Sequence, residues 1–335
     1  MSTAVPAAGV GIVFDNDRLE VSVRDGLDTI ESALMDSVQS ADEFVSDVAR
    51  YLAEAGGKRF RPLLTLLAAQ FGDPEADGVV MSAVVCELTH LATLYHDDVM
   101  DEATVRRGSP SANSRWTNTV AILTGDFLFA RASDILADLG PEAVRIQARC
   151  FERLVTGQIR ETVGPKPGAD PIDYYLAVLS DKTGSLIATS AELGARFAGV
   201  EEGLIQSLRA YGEQIGVAFQ ISDDILDIAS ETGQSGKTPG TDLREGVQTL
   251  PVLYALRDAG EDTARLADLV SKPITDDAEH AEALRLLRSS DALAQARETM
   301  LGYADAARAA LRALPDVPAR AALEALADMV VLRTG

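Results

Sequence analysis

Two aspartate-rich stretches constrain this chain more than anything else in it. The first is Leu94-Tyr95-His96-Asp97-Asp98-Val99-Met100-Asp101, and the second is Phe219-Gln220-Ile221-Ser222-Asp223-Asp224-Ile225-Leu226-Asp227. Both read Asp-Asp-x-x-Asp and both follow largely apolar runs, Leu91 to Tyr95 and Ile215 to Ile221. On a helix each residue turns about 100°, so the three carboxylates of each motif are expected on one face. Like charges three or four apart cost an isolated helix a few tenths of a kcal/mol, so two such faces require compensating cations. A solvated acidic face is the plainer reading of one such motif in a chain with 52 acidic residues. The apolar flanks favour the other reading, in which each triad ends a core helix. Paired carboxylate triads suit Mg²⁺, a hard ion that prefers oxygen ligands and shares its shell with water and substrate phosphates.

The cations that would answer these acids are sparse and placed. Five of the 30 are lysines: Lys58, Lys166, Lys182, Lys237 and Lys272. Arg106 and Arg107 follow the first triad, and guanidinium forks match phosphate oxygens bidentately. Lys58 and Arg61 follow Gly56-Gly57, where backbone can approach a ligand closely. Lys182-Thr183 marks a helix break, and Lys237 lies in the polar loop after the second triad. His90 stands seven residues before Asp97, on the same helix face. Singly, each of these is an ordinary surface cation or core histidine; together they describe a site for a polyanion.

The rest of the chain reads as helix. It has 335 residues, 47% hydrophobic and only 5% aromatic, with Ala, Leu and Arg recurring throughout. Apolar positions recur at helical spacing over Arg24 to Gln39 and Ala41 to Ala55. Further helices are expected over Leu63 to Phe71, Ala76 to Asp101, Val120 to Leu139, Glu142 to Thr162, Asp173 to Phe197, Glu201 to Ala229 and Val247 to Ala259. The Asp173 to Phe197 stretch should break near Lys182-Thr183-Gly184. No strand and no short-period repeat is evident. Residues 1–20 are expected to be weakly ordered, and 21–335 to form one large all-α bundle with a central cavity between facing helices.

Net charge is −22, which disfavours nucleic acid and anionic membrane as partners. Cys86 and Cys150 form no metal or disulfide pattern and read as core thiols, so a cytoplasmic location is expected. Residues 1–17 lack the cationic start and apolar run of a signal peptide. The apolar stretch from Gly78 to His96 is interrupted by Glu87 and His90, which favours a buried core helix over a membrane span.

The ordered set of motifs resembles the trans-polyprenyl diphosphate synthase family. It comprises Gly56-Gly57-Lys58-Arg59-x-Arg61-Pro62, His96-Asp97-Asp98-x-x-Asp101 with Arg106-Arg107-Gly108, Lys182-Thr183 and Phe219-Gln220-x-x-Asp223-Asp224-x-x-Asp227. Gly236-Lys237-x-x-Gly240-x-Asp242 and Gly246-x-x-Thr249-Leu250-Pro251 complete it. The resemblance runs from about residue 40 to 260 and implies a prenyltransferase of the isoprenoid synthase fold that extends an allylic diphosphate with isopentenyl diphosphate. By that resemblance Asp97, Asp98, Asp101, Asp223, Asp224 and Asp227 hold Mg²⁺, three ions per active site. Arg106, Lys182, Thr183, Gln220 and Lys237 would contact the allylic diphosphate, and Lys58, Arg61, His90 and Arg107 the isopentenyl diphosphate. The catalytic set is then the six aspartates with Lys182 and Arg106. One departure stands out: where the family often has Lys after the glycine at Gly246, this chain has Val247.

In the family a bulky side chain four or five residues before the first aspartate stops the growing tail. Here those residues are Thr93 and Ala92, with Thr89, His90 and Cys86 further down and no Phe, Trp or Tyr among them. An open groove of Thr89, Ala92 and Thr93 implies a long product, heptaprenyl to decaprenyl, as in a quinone side chain such as that of menaquinone. A plug from Phe127 or Phe151 would instead stop growth at geranylgeranyl. A terpene cyclase would replace the second triad with an Asn/Ser/Glu set, and a non-catalytic partner subunit would lose aspartates that are all present here. The resemblance also implies a homodimer with no integral membrane segment and at most transient membrane contact during product release.

Overall fold

A computed structural model describes residues 14–230, 239–258, 260 and 263–333. The chain is all-α, and it divides into two compact units. One comprises Met1–Phe151, Leu186–Gly212 and Ala313–Leu323; the other comprises Glu152–Ser185, Glu213–Arg312 and Glu324–Gly335.

The first unit holds α1 (Asp17–Ser37), α2 (Glu43–Glu54), α3 (Phe60–Ala69) and α4 (Val79–Met100). After a two-stranded hairpin come α5 (Ala112–Arg115), α6 (Asn118–Leu139) and the start of α7 (Pro141–Val163). The hairpin, β1 (Val105–Arg106) and β2 (Ser109–Pro110), is antiparallel with Val105 opposite Pro110. It is a strand where the sequence showed none, too short for alternation to reveal. Helix α1 begins at Asp17, capped by Asn16, whose side chain accepts from the Leu19 N–H at 2.9 Å. It therefore starts inside the stretch expected to be weakly ordered.

Helix α4 is the centre of this unit and packs against α1, α3 and α6. By length and composition it could cross a membrane. Its Val84, Val85, Leu88, Leu91, Ala92 and Tyr95 are instead fully buried. Each large side chain so buried contributes about 1.5–3 kcal/mol. The Tyr95 hydroxyl donates to the Val48 carbonyl and accepts from the Leu52 N–H, pinning α2. Close contact with α6 depends on Gly125: a Cβ there would lie 2.3 Å from His96 Nε2 and 3.0 Å from the Ala92 carbonyl oxygen.

The second unit holds the end of α7 and α8 (Pro171–Leu179), which leads through a π-helical turn (Ser180–Gly184) to Ser185, the first residue of α9 (Ser185–Phe197). The expected break thus falls where Lys182 lies, without interrupting the chain's helical course. The unit continues with α10 (Glu202–Ala229) from Glu213, and α11 (Thr241–Glu245) within the long polar loop. Next are α12 (Leu250–Arg257), α13 (Ala264–Val270), α14 (Asp277–Ser289), α15 (Asp291–Leu311) and most of α16 (Pro318–Leu332). Ser222 Oγ donates to the Val330 carbonyl at 3.2 Å, tying α16 to the helix that carries the second triad.

Candidate active site

The first unit brings one aspartate triad to the end of α4. Its three carboxylates are buried to different degrees. Asp97 is half-buried, Asp101 is the exposed C-cap, and Asp98 is fully buried. A rotation of about 100° from Asp97 carries Asp98 inward. There Arg106 Nε donates to its Oδ1 at 2.6 Å, while Oδ2 is buried without a hydrogen-bond partner. Burial pushes the Asp98 carboxyl up, against the field of Arg106.

Arg106 and Arg107 sit on the hairpin, and Arg107 adopts a left-handed backbone with φ 52°. Arg107 Nη1 donates to the Leu52 carbonyl at 2.8 Å and to the Gly56 carbonyl. Gly57 leaves room for this guanidinium, since a Cβ there would lie 3.0 Å from Nη2. The hairpin is fixed at its other strand by Tyr51, whose hydroxyl donates to the Pro110 carbonyl at 2.8 Å. Arg115 stacks over the Tyr51 and Trp116 rings at 4.4 and 4.7 Å.

Beneath the hairpin lies a cation cluster. Lys58 is exposed, and Arg61 has a buried Nε with no partner. Burial lowers the Arg61 pKa and Glu87 works against it. The same two causes lead at Arg107, where neighbouring arginines lower it further. His90 is driven well below the ordinary histidine value by burial and then by Arg61, Arg107, Arg106 and Arg59. The imidazole is therefore neutral near pH 7 and offers a hydrogen bond rather than a charge. Two of these four guanidiniums are ion-paired, Arg59 with Glu31 and Glu87 and Arg106 with Asp98, while Arg61 and Arg107 form no ion pair among the described residues.

Of the groove residues, Ala92 and Thr89 are fully buried and Thr93 is half-buried. Thr89 Oγ1 accepts from Gln147 Nε2 at 2.7 Å. Phe151 packs on Phe129, with centroids 4.4 Å apart, and Phe129 lies 5.8 Å from the His96 ring. Phe127 is half-buried. Cys86 and Cys150 are buried free thiols, and burial holds Cys86 up at about 12.

In the second unit the second triad ends α10. Asp223 Oδ1 accepts from Arg333 at 2.6 Å, and that guanidinium also lies over Phe219 at 4.7 Å. Asp224 is buried: Tyr175 donates its hydroxyl to Oδ2, and Gln220 Nε2 reaches Oδ1 at 3.3 Å. Burial pushes the Asp224 carboxyl well up, against these two hydrogen bonds. Asp227 accepts from the Thr241 and Asp242 N–H groups at the start of α11, both at 3.2 Å. Lys182 Nζ pairs with Glu161 at 2.5 Å, and Thr183 Oγ1 reaches Gln220 at 3.4 Å. Lys237 lies outside the described residues, whereas Val247 is described and exposed. Tyr175 and Arg333 were not singled out in the sequence, whereas Glu87 showed there as a charge interrupting an apolar stretch and Arg59 as part of a motif.

Among the described residues no three His, Cys, Asp or Glu side chains converge closely enough to hold an ion alone. The exposed Asp101, the buried partnerless Oδ2 of Asp98 and an all-oxygen donor set fit an ion that completes its shell with water and phosphate.

The polyprenyl synthetase family model matches residues 42–287, across both triads and the cation cluster. The chain belongs to the polyprenyl synthetase family. It is 54% identical to the nonaprenyl diphosphate synthase of Mycobacterium tuberculosis over 97% of each chain. A geranylgeranyl pyrophosphate synthase from Corynebacterium glutamicum, solved with calcium and isoprenyl diphosphate, superposes with a TM-score of 0.88 at 46% identity. That match covers 97% of this chain and 100% of the other. A decaprenyl diphosphate synthase from Rhodobacter capsulatus superposes with a TM-score of 0.87 at 35% identity, covering 95% and 99%.

Proposed function

We propose that the six aspartates and the cations around them carry out Mg²⁺-dependent condensation of isopentenyl diphosphate with an allylic diphosphate. The chain is a long-chain trans-prenyl diphosphate synthase. In the proposed site Asp97, Asp98, Asp101, Asp223, Asp224 and Asp227 would hold Mg²⁺, three ions by the resemblance, with the allylic diphosphate. Bound there, the metal supplies Lewis-acid stabilisation of the charge that develops on the leaving group. Arg106, Lys182, Thr183, Gln220 and Lys237 bind the same diphosphate. Lys58, Arg61, Arg107 and the neutral His90 bind the isopentenyl diphosphate.

The chemistry needs no protein nucleophile. As the allylic C–O bond breaks, Arg106 and Lys182 stabilise the departing diphosphate electrostatically. The isopentenyl double bond attacks the allylic cation, and the proton then lost passes to the departing diphosphate. Arg106 is held by Asp98 and Lys182 by Glu161, so both cations enter the step already oriented.

The observation that supports this reading most is the retention of both complete triads within a family match spanning residues 42–287. The product length, heptaprenyl to decaprenyl, is read from Thr93, Thr89 and Ala92, since the named relatives include both nonaprenyl and geranylgeranyl synthases. A homodimer in the cytoplasm, feeding a quinone side chain, completes the proposal. Incorporation of labelled isopentenyl diphosphate onto farnesyl diphosphate should require Mg²⁺. It should cease with chelator and fall at least a hundredfold in Asp97→Asn and Asp223→Asn. Full incorporation with chelator present would contradict the assignment.

A further inference from the structure

Within the cation cluster one arginine faces no open space. Arg59 opens α3 in a left-handed conformation, φ 49°, which a non-glycine residue adopts only when its surroundings enforce it. Its side chain is 10% exposed. Nε and Nη2 donate to the two oxygens of Glu31 at 2.7 and 2.8 Å, Nη1 donates to Glu87 Oε1 at 2.9 Å, and Nη2 also donates to the Ala53 carbonyl at 2.9 Å. These bonds join α1, the end of α2 and α4 to the turn that carries Lys58 and Arg61. Burial opposes the Arg59 charge, and Glu31 and Glu87 more than offset it.

Glu87 is the second half of the device. Its side chain is 3% exposed, on a helix whose other buried residues are mostly apolar. A carboxylate there is stable only with compensation. Beyond its bond to Arg59, its field also acts on Arg61 and Arg107. An anion in the middle of cations that bind an anion weakens their net attraction, so its presence is explained by placement, not by binding.

We propose that Glu87 and Arg59 are positioning residues: their buried ion pair, braced by Glu31, sets the Gly56–Arg61 turn and so aligns Lys58, Arg61 and Arg107 on the isopentenyl diphosphate. This rests on the isopentenyl role assigned above to those three cations. Arg59 touches no substrate, in contrast to its neighbours in the motif.

The test is steady-state kinetics of Glu87→Gln and Glu31→Gln beside the wild type, varying each substrate in turn, with urea unfolding of each protein. Glu87→Gln keeps the shape and removes the charge. Loss of a charged hydrogen bond at this depth corresponds to about tenfold or more in binding. The KM for isopentenyl diphosphate should rise by about that factor, with the allylic KM within about twofold and kcat at saturation little changed. Glu31→Gln, with Glu31 44% exposed, should shift the same KM in the same direction by about threefold and fold normally. Equal changes in both KM values, or no change in the isopentenyl KM in either variant, would overturn the proposal. If Glu87→Gln does not fold, Glu31→Gln alone decides. Absence of turnover in the wild type would count against the function itself, whereas an active wild type with unmoved variants counts only against this clamp.

Discussion

Substituting Thr93 with phenylalanine should shorten the product, and the same change at Ala92 should do so only at a cost to the fold. The two residues are adjacent, but α4 presents them differently. Ala92 is fully buried on a helix packed against α6, and a Cβ on Gly125 would already lie 3.0 Å from the Ala92 carbonyl oxygen. A phenyl ring there overpacks the interface and costs about 1–3 kcal/mol or more. Thr93 is half-buried, and its hydroxyl donates to the His90 carbonyl of its own helix at 2.8 Å. At about 1.5 Å per residue, Thr93 lies roughly 6 Å below Asp97 and Cys86 roughly 16 Å below it. If the growing tail follows α4 down to Cys86, as proposed, a ring at Thr93 blocks about 10 Å of its path. A trans isoprene unit, four backbone carbons at about 1.5 Å per bond, spans roughly 5 Å. The ladder should end at least two units earlier, with the urea midpoint near that of the wild type. Mass analysis of the dephosphorylated products with farnesyl diphosphate as primer reads this directly. An unchanged ladder from a folded, active Thr93→Phe would refute the groove assignment.

Two further outcomes follow from the site. His90 is held below its ordinary value, so between that depressed value and about 6.5 the unfolded chain binds a proton that the folded one does not. Stability should therefore fall as pH drops through 6.5, and His90→Asn should reduce the slope by up to about 1.4 kcal/mol per pH unit. Urea midpoints at pH 7.5 and 5.5 measure this, and identical slopes for both proteins would contradict it. Tyr175→Phe removes a donor to buried Asp224 and leaves its carboxylate harder to ionise. The Mg²⁺ concentration for half-maximal rate should rise about tenfold, and an unmoved Mg²⁺ curve would exclude a role for the hydroxyl.

Much of this was legible in the sequence because it is periodic or punctuated. The long helices follow apolar spacing, and their ends lie within a few residues of the capping and breaking residues. Helix α10, expected over Glu201 to Ala229, spans Glu202–Ala229, whereas α8 starts at Pro171, capped by Asp170 through the Ile172 N–H at 2.8 Å, two residues before the expected Asp173. The break at Lys182 was visible, but its π-helical form was not, because an i→i+5 turn leaves no residue signature. The spacing grouped the carboxylates but did not reveal that Asp98 and Asp224 are buried. Angular spacing places a side chain around its own helix and says nothing of what packs there. Arg106 and Tyr175, which receive those two carboxylates, are 8 and 49 residues away. Arg59 was visible only as a letter in a motif. Its separation from Lys58 and Arg61 in role comes from tertiary partners, Glu31 and Glu87, each 28 residues distant.

The measurement closest to the central claim is the product ladder of the purified protein. It would be supplied with Mg²⁺, isopentenyl diphosphate and, separately, geranyl, farnesyl and geranylgeranyl diphosphates. A ladder ending between seven and ten isoprene units is the expected result. A ladder ending at four units would keep the chemistry and contradict the open groove. No product from any primer would contradict the assignment of activity to this chain alone, and Val247→Lys would then be the first change to make.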